Sequence, residues 1–292
     1  ANLIKHDSNY GIWEHEIESD EKNIIIDGKR ILSLSEKDPI SLPWKELSVD
    51  VVLECTGVFT EVEKSKLHIT AGAKRVIISA PSKGEIQSPT CILGVNHYDG
   101  NSKVINNGSC TTNSIAPIMQ ILEKNFGVEK ALMTTVHAFT DDQVLEDGAH
   151  KDLRRARSAT QNIIPTITGA AISATEAIPS LKDNFDGVAL RVPVAVGSIS
   201  DITALLKKDV TVEEINQAFK KATTKKEYQG VVEITQEPLV SSDIIGSTAS
   251  VIIDLGLTKS LGNLVKVFGW YDNEWGYANR LVEQAVEVGK SL

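Results

Sequence analysis

Cysteine is scarce in this 292-residue chain: Cys55, Cys91 and Cys110 are the whole supply, odd in number and scattered, with no CxxC pair. That excludes a disulfide framework and a cysteine zinc site, and it suits a reducing compartment such as the cytoplasm. No metal ligands are expected. No apolar run reaches the ~18 residues that a membrane-spanning helix needs, so no membrane association is expected. The start, Ala1-Asn2-Leu3-Ile4-Lys5, has the pattern of neither a signal nor a transit peptide, and it lacks an initiator Met. Basic charge is also in short supply. The formal net charge of −9 argues against nucleic acid as the main partner. The tripeptide 107–109 fits a glycosylation sequon, a pattern that arises readily by chance.

What is present is an ordinary globular balance, 41% apolar and 24% charged, over a length that predicts two domains. The run Val51-Val52-Leu53 closes at Thr56-Gly57, as a buried parallel strand does. Thr60 and Glu63 have capping-box spacing for a helix with Val62, Leu67 and Ile69 inward. Residues 75–80 form a second apolar strand. Strand, helix, strand over this span predicts a βαβ unit and a parallel sheet. A helix is expected after Cys110, and a strand over 131–136. A β-rich tract spans 187–206, a helix opens at a Thr211/Glu214 capping box, and strands are expected at 251–253 and 265–267. An amphipathic helix from about Tyr277 to Gly289 should turn Leu281, Val282, Ala285 and Val286 inward.

Four features carry potential chemistry. Cys110 lies between small hydroxyl residues at a helix start, where unpaired N–H groups and the helix dipole favour a thiolate. A buried structural cysteine is the plain alternative. His137 follows a strand and is placed to act as acid or base, though a lone histidine there is more often structural. Residues 151–157, with Arg154, Arg155 and Arg157, read as either a solvated basic face or a phosphate site. The second reading gains from nearby Thr166, Thr168 and Gly169 and from the later Arg191. Aromatic-rich 270–277 surrounds Asn273, whose amide suits a flat polar ligand, though packing is the default role there.

Taken together and in order, Ser109-Cys110-Thr111-Thr112-Asn113, residues 134–138, 150–157, 162–165, 168–171, 191–193 and 270–274 resemble the phosphorylating glyceraldehyde-3-phosphate dehydrogenase family. The resemblance runs over nearly the whole chain. It implies an α/β fold: a Rossmann-type parallel-sheet cofactor domain over residues 1–109, completed by the C-terminal helix 273–292, and an α+β catalytic domain over 110–272 with a largely antiparallel sheet. It implies oxidation of D-glyceraldehyde 3-phosphate to 1,3-bisphosphoglycerate through a thioester on Cys110, with His137 as base. Thr140 and Arg191 would hold the sugar phosphate. Ser109, Thr111, Arg155, Thr168 and Gly169 would hold inorganic phosphate. Lys37, Thr56, Gly57, Ser79, Ala80, Asn273 and Tyr277 fall where the family contacts the cofactor. A homotetramer is implied too.

The sequence also departs from the family. No GxGxxG occurs, and the likeness begins just beyond that unit, so the N-terminal βαβ segment is expected to be absent and the Rossmann sheet incomplete. On that expectation the chain binds cofactor weakly and exposes a sheet edge. NAD is the default cofactor. Lys37 in place of a common Arg, and Gly148-Ala149 in place of Leu-Pro, leave NADP open. An erythrose-4-phosphate dehydrogenase is disfavoured by Thr140 and by 168–171. A non-catalytic, redox-sensing relative is disfavoured by the presence of His137 and the arginines.

Overall fold

The computed structural model describes residues 1–292. It opens with a short helix α1 (Asn2–Lys5) and two small antiparallel units, β1 (His6–Asp7) with β2 (Gly11–Ile12), and β3 (Ile17–Ser19), β4 (Asn23–Ile26) and β5 (Lys29–Leu32). A βαβ unit follows: β6 (Val51–Glu54), α2 (Val62–Thr70) and β7 (Arg75–Ile78), with β8 (Val104–Asn106) as third strand. All pairings among β6, β7 and β8 are parallel, and β6 and β8 are the edges.

Alternation decides how this sheet is covered. Val76 and Ile78 face α2 in a cluster with Val52, Val62 and Val104. Ile77 and Ile105 point the other way and meet Leu281 and Val288 of the last helix, α6 (Trp275–Lys290). A parallel sheet with apolar side chains on both faces needs a cover on each, and the chain's far end supplies the second.

Between these lie α3 (Cys110–Phe126), β9 (Val128–Ala138), β10 (Ile164–Ile167), α4 (Ala170–Ala177), β11 (Phe185–Val192), β12 (Ser198–Leu206), α5 (Val212–Thr223), β13 (Val232–Thr235), β14 (Val251–Asp254), β15 (Lys259–Leu261) and β16 (Leu264–Tyr271). The strands form one eight-stranded sheet in the order β10-β11-β9-β12-β16-β14-β13, with β15 pairing β16. It is largely antiparallel; only β9–β11 and β13–β14 run parallel. The main core lies between its inner face and α3, α4 and α5, around Ile118, Met119, Ile202 and Phe219. On the opposite face Leu132, Val188 and Ile167 stay exposed.

Two local expectations fail for clear reasons. The Thr60/Glu63 capping box does not form. The chain at 60–61 is drawn alongside Lys83, whose N–H donates to Thr60 O, so the helix starts one residue late with Glu61 as an uncapping N-cap. In α6, Val282 and Val286 face solvent. The inward stripe runs through Arg280, Leu281, Gln284 and Val288, and one residue's advance rotates a side chain by ~100° off that stripe. The Thr211/Glu214 box, by contrast, is complete on both sides.

Candidate active site

Cys110 is the first residue of α3, and Ser109 caps the helix, its Oγ accepting from Thr112 N at 3.1 Å. Such a cap contributes about 1 kcal/mol and fixes where the helix begins. Thr111 bonds the Tyr271 hydroxyl at 2.9 Å, and that hydroxyl reaches Thr135 Oγ1 at 2.8 Å. One tyrosine therefore ties α3, β9 and β16 together beneath the thiol. The Tyr271 ring also meets the His137 ring edge-on, with centroids 5.9 Å apart.

His137 stands near the end of β9, and its Nε2 lies 3.4 Å from Cys110 Sγ. Its Nδ1 lies 2.7 Å from Ala138 O and 2.5 Å from Nη1 of Arg191, which also donates to Ala138 O at 2.8 Å. A neutral ring satisfies one of the two neighbours at a time: Nδ1–H donates to Ala138, or bare Nδ1 accepts from Arg191. Only the first leaves Nε2 open to take the thiol proton. Burial, with the Arg191 charge next, pulls the imidazole down to about 3. Burial pushes the Cys110 thiol up, against the opposing pull of Arg191. In this state the pair is a neutral thiol and a neutral imidazole. The expected thiolate is not favoured, because loss of water outweighs the helix terminus.

Arg191 is brought in by register, opposite His137 in the parallel β11–β9 pairing. Its Nε is buried with no hydrogen-bond partner. An unpaired N–H on a half-buried cation suits the oxygen of an anion. Arg155 is engaged differently, donating to Thr166 Oγ1 at 2.8 and 3.1 Å and pairing with Asp142. Thr168 and Gly169 open α4, where Thr168 Oγ1 accepts from Ala170 N. Thr112 Oγ1 reaches Ala170 O at 3.5 Å, so the starts of α3 and α4 abut. Thr140 is half-buried two residues beyond the end of β9, its N–H directed at Gln143.

The cofactor candidates gather less tightly. Thr56-Gly57 and Ser79-Ala80 follow the carboxyl ends of adjacent parallel strands β6 and β7, the end at which ligands of such sheets bind. Asn273 accepts from Gly197 N at 3.0 Å and Ser198 Oγ at 3.1 Å through Oδ1. With the oxygen committed, Nδ2 is the end left to present to a carboxamide. Tyr277 donates to Gly108 O at 3.3 Å, joining α6 to the approach to Cys110. Gly57, at φ +72°, has open space where a side chain would stand. These features fit a nicotinamide dinucleotide. Lys37 sits exposed in the segment after β5, and Gly148 lies on an exposed loop.

Sequence reasoning missed Tyr271, Asp272 and Glu54. Asp272 accepts from Tyr10 OH and from the N–H groups of Gly246, Glu274 and Trp275, which fixes the approach to Asn273. The only sequence signal was a charged or polar residue closing an apolar strand, in both places.

A parallel sheet with ligand-binding loops at its carboxyl end, beside a cysteine–histidine pair and a half-buried arginine, fits a nucleotide-dependent oxidoreductase. Residues 109–273 match the family model for the C-terminal domain of glyceraldehyde 3-phosphate dehydrogenase, and residues 1–62 match its NAD binding domain. The chain belongs to that family. It is 50% identical to a glyceraldehyde-3-phosphate dehydrogenase of Streptomyces coelicolor over 296 residues, covering all of this chain and 88% of that protein. It is also 50% identical to that of Mycobacterium avium, with 86% of the relative covered, and 45% identical to that of Zymomonas mobilis, with 87% covered.

Proposed function

We propose that this protein catalyses the phosphorylating oxidation of glyceraldehyde 3-phosphate to 1,3-bisphosphoglycerate, with Cys110 as nucleophile and His137 as its base. The 3.4 Å approach of Sγ to Nε2 carries the reading. Cys110 adds to the aldehyde carbon as His137 Nε2 takes the thiol proton, giving a thiohemiacetal. The adduct becomes a thioester by giving its hydroxyl proton to His137 Nε2 and a hydride from its carbon, which NAD would accept when bound. Inorganic phosphate then attacks the acyl carbon, the sulfur leaves, and the acyl phosphate is released.

Arg191, with its unpaired Nε, takes the phosphate of the sugar together with Thr140. Ser109, Thr111, Thr168 and Gly169, at the abutting starts of α3 and α4, receive the attacking phosphate together with Arg155 from the loop before β10. When an anion draws the Arg191 guanidinium off Nδ1, the ring is left to donate to Ala138, and Nε2 faces the sulfur as a base. Asn273 presents its Nδ2 to the nicotinamide amide. Thr56, Gly57, Ser79, Ala80 and Tyr277 line the same pocket, and Lys37 belongs to its adenine end.

The cofactor domain comprises residues 1–109 with the helix 273–292, and the catalytic domain residues 110–272; the meeting of α6 with Ile77 and Ile105 supports this division. The bare sheet face with Leu132, Ile167 and Val188 supports a homotetramer in which that face meets a second copy. Three unpaired cysteines support a cytoplasmic location. No helix is long and apolar enough to cross a membrane.

The deciding experiment follows reduced nicotinamide by absorbance with glyceraldehyde 3-phosphate and NAD, with and without inorganic phosphate. Phosphate-dependent reduction is expected. Reduction that ignores phosphate would sink the thioester mechanism.

A further inference from the structure

Glu54 closes β6 with its side chain turned into the protein, only 3% exposed. A carboxylate so placed costs stability unless every oxygen is served. Here three donors serve it. Thr56 gives two to Oε1, its backbone N–H at 2.8 Å and its hydroxyl. His68, from the buried side of α2, gives the third, with Nε2 3.0 Å from Oε2.

The histidine's orientation is itself fixed from behind. Trp44 donates its indole N–H to His68 Nδ1 at 3.1 Å. An indole N–H can only donate, so Nδ1 accepts, and the ring proton sits on Nε2, aimed at the carboxylate. Burial would raise the Glu54 carboxyl, but the His68 and Thr56 hydrogen bonds outweigh it and hold the group below the usual range. Trp44 thus donates to His68 and His68 to Glu54, and the carboxylate accepts from the turn at its other oxygen.

The turn is unusual in having one pinned side and one bare side. The Thr56 hydroxyl gives its proton to Glu54 and accepts from Val58 N at 3.1 Å, bracketing Gly57 between two bonds. Gly57 has φ +72°, and a Cβ there would meet nothing within 4 Å. The carboxylate therefore fixes the inner side of a turn whose outer side is open, at the carboxyl end of a parallel strand.

We propose that Glu54 is a positioning residue for the dinucleotide: backed by His68 and Trp44, it holds the Thr56–Gly57 turn in the shape that receives the cofactor. This rests on the reading of that turn as a cofactor contact. Glu54 touches no reacting atom, and its effect passes through the turn alone. It should therefore govern affinity for NAD and leave the thiol chemistry untouched.

The test measures NAD binding by calorimetry on the whole protein and, without cofactor, the rate of Cys110 alkylation by iodoacetamide. Glu54→Gln keeps the volume but removes the charge and sets an amide against the His68 donor. Its dissociation constant for NAD should rise about tenfold or more, the scale of one charged hydrogen bond, with alkylation changed by less than about twofold. His68→Phe should weaken NAD in the same direction. His68→Gln, whose amide can donate to the same oxygen, should recover most of the loss, and this pair decides the matter if Glu54→Gln does not fold. A folded Glu54→Gln protein with wild-type NAD affinity overturns the proposal. So does a loss of Cys110 reactivity as large as the loss of binding, which marks general damage. Gly57→Val separates the two readings. If it leaves NAD affinity intact, the turn is no cofactor contact and the underlying reading fails. If it weakens NAD while Glu54→Gln does not, only the positioning role fails.

Discussion

Arg191 stands opposite His137 across two parallel strands, with its Nη1 2.5 Å from the imidazole Nδ1 and its own Nε unpartnered. The two residues are far apart in the chain, yet one register unites the anion's binder and the thiol's base. A phosphate that occupies Arg191 therefore acts on the base as well as on its own affinity. Arg191→Ala is expected to raise KM for glyceraldehyde 3-phosphate by roughly ten- to a hundredfold, the size of a lost charged hydrogen bond, and to move KM for NAD far less. Steady-state kinetics check this; equal shifts in both constants would refute the assignment.

Cys110→Ser should abolish turnover, since a hydroxyl beside a neutral imidazole is a far weaker nucleophile than a thiol and cannot form the thioester. The variant should still fold, because Ser109 and not Cys110 caps α3. Circular dichroism together with the NAD reduction assay tests both halves. Normal rates would remove Cys110 from the mechanism.

His137→Asn should lower kcat by roughly two to four orders of magnitude, as the loss of a positioned base does. The deficit should also appear in the rate of Cys110 alkylation at neutral pH. If alkylation is unchanged, His137 does not act on the thiol.

The same histidine predicts how stability depends on pH. Burial and the Arg191 charge hold it at about 3 in the folded protein, below the ordinary 6.5. Between these values the unfolded chain binds a proton that the native state refuses. Stability is therefore full above about pH 6.5 and falls as the pH drops towards 3. From pH 7 to pH 5 this one group should cost about 2 kcal/mol, at ~1.4 kcal/mol per unit. Urea unfolding at both pH values should show wild type losing about that much more than His137→Asn. Equal losses would mean that the imidazole is not held neutral.

Leu132→Glu, on the bare face of the large sheet where Leu132 is 67% exposed, should leave the chain folded and lower the mass expected of the proposed homotetramer. Light scattering on both proteins decides it. An unchanged mass would free that face from any role in association.

The sequence alone determined the strongly local features. The start of α3 at Ser109-Cys110 follows from a capping serine before an apolar helical pattern. The β6–α2–β7 unit follows from two short apolar runs around a helix. The α5 start follows from the Thr211/Glu214 box. The ordered motifs carried the family, because the spacing of Cys110, His137, Arg191 and Asn273 is itself information in the chain. Tertiary structure decided what depends on neighbours remote in sequence. Pairing with Lys83 displaced the start of α2, and the buried stripe through Arg280 and Gln284 turned Val282 and Val286 outward. Burial opposes the thiolate that the helix start favours at Cys110, because desolvation is a property of the packed site and not of a helix end. Tyr271 and Glu54 were invisible for the same reason: their partners arrive by strand register and helix packing, and no local pattern encodes a hydrogen bond made across the fold.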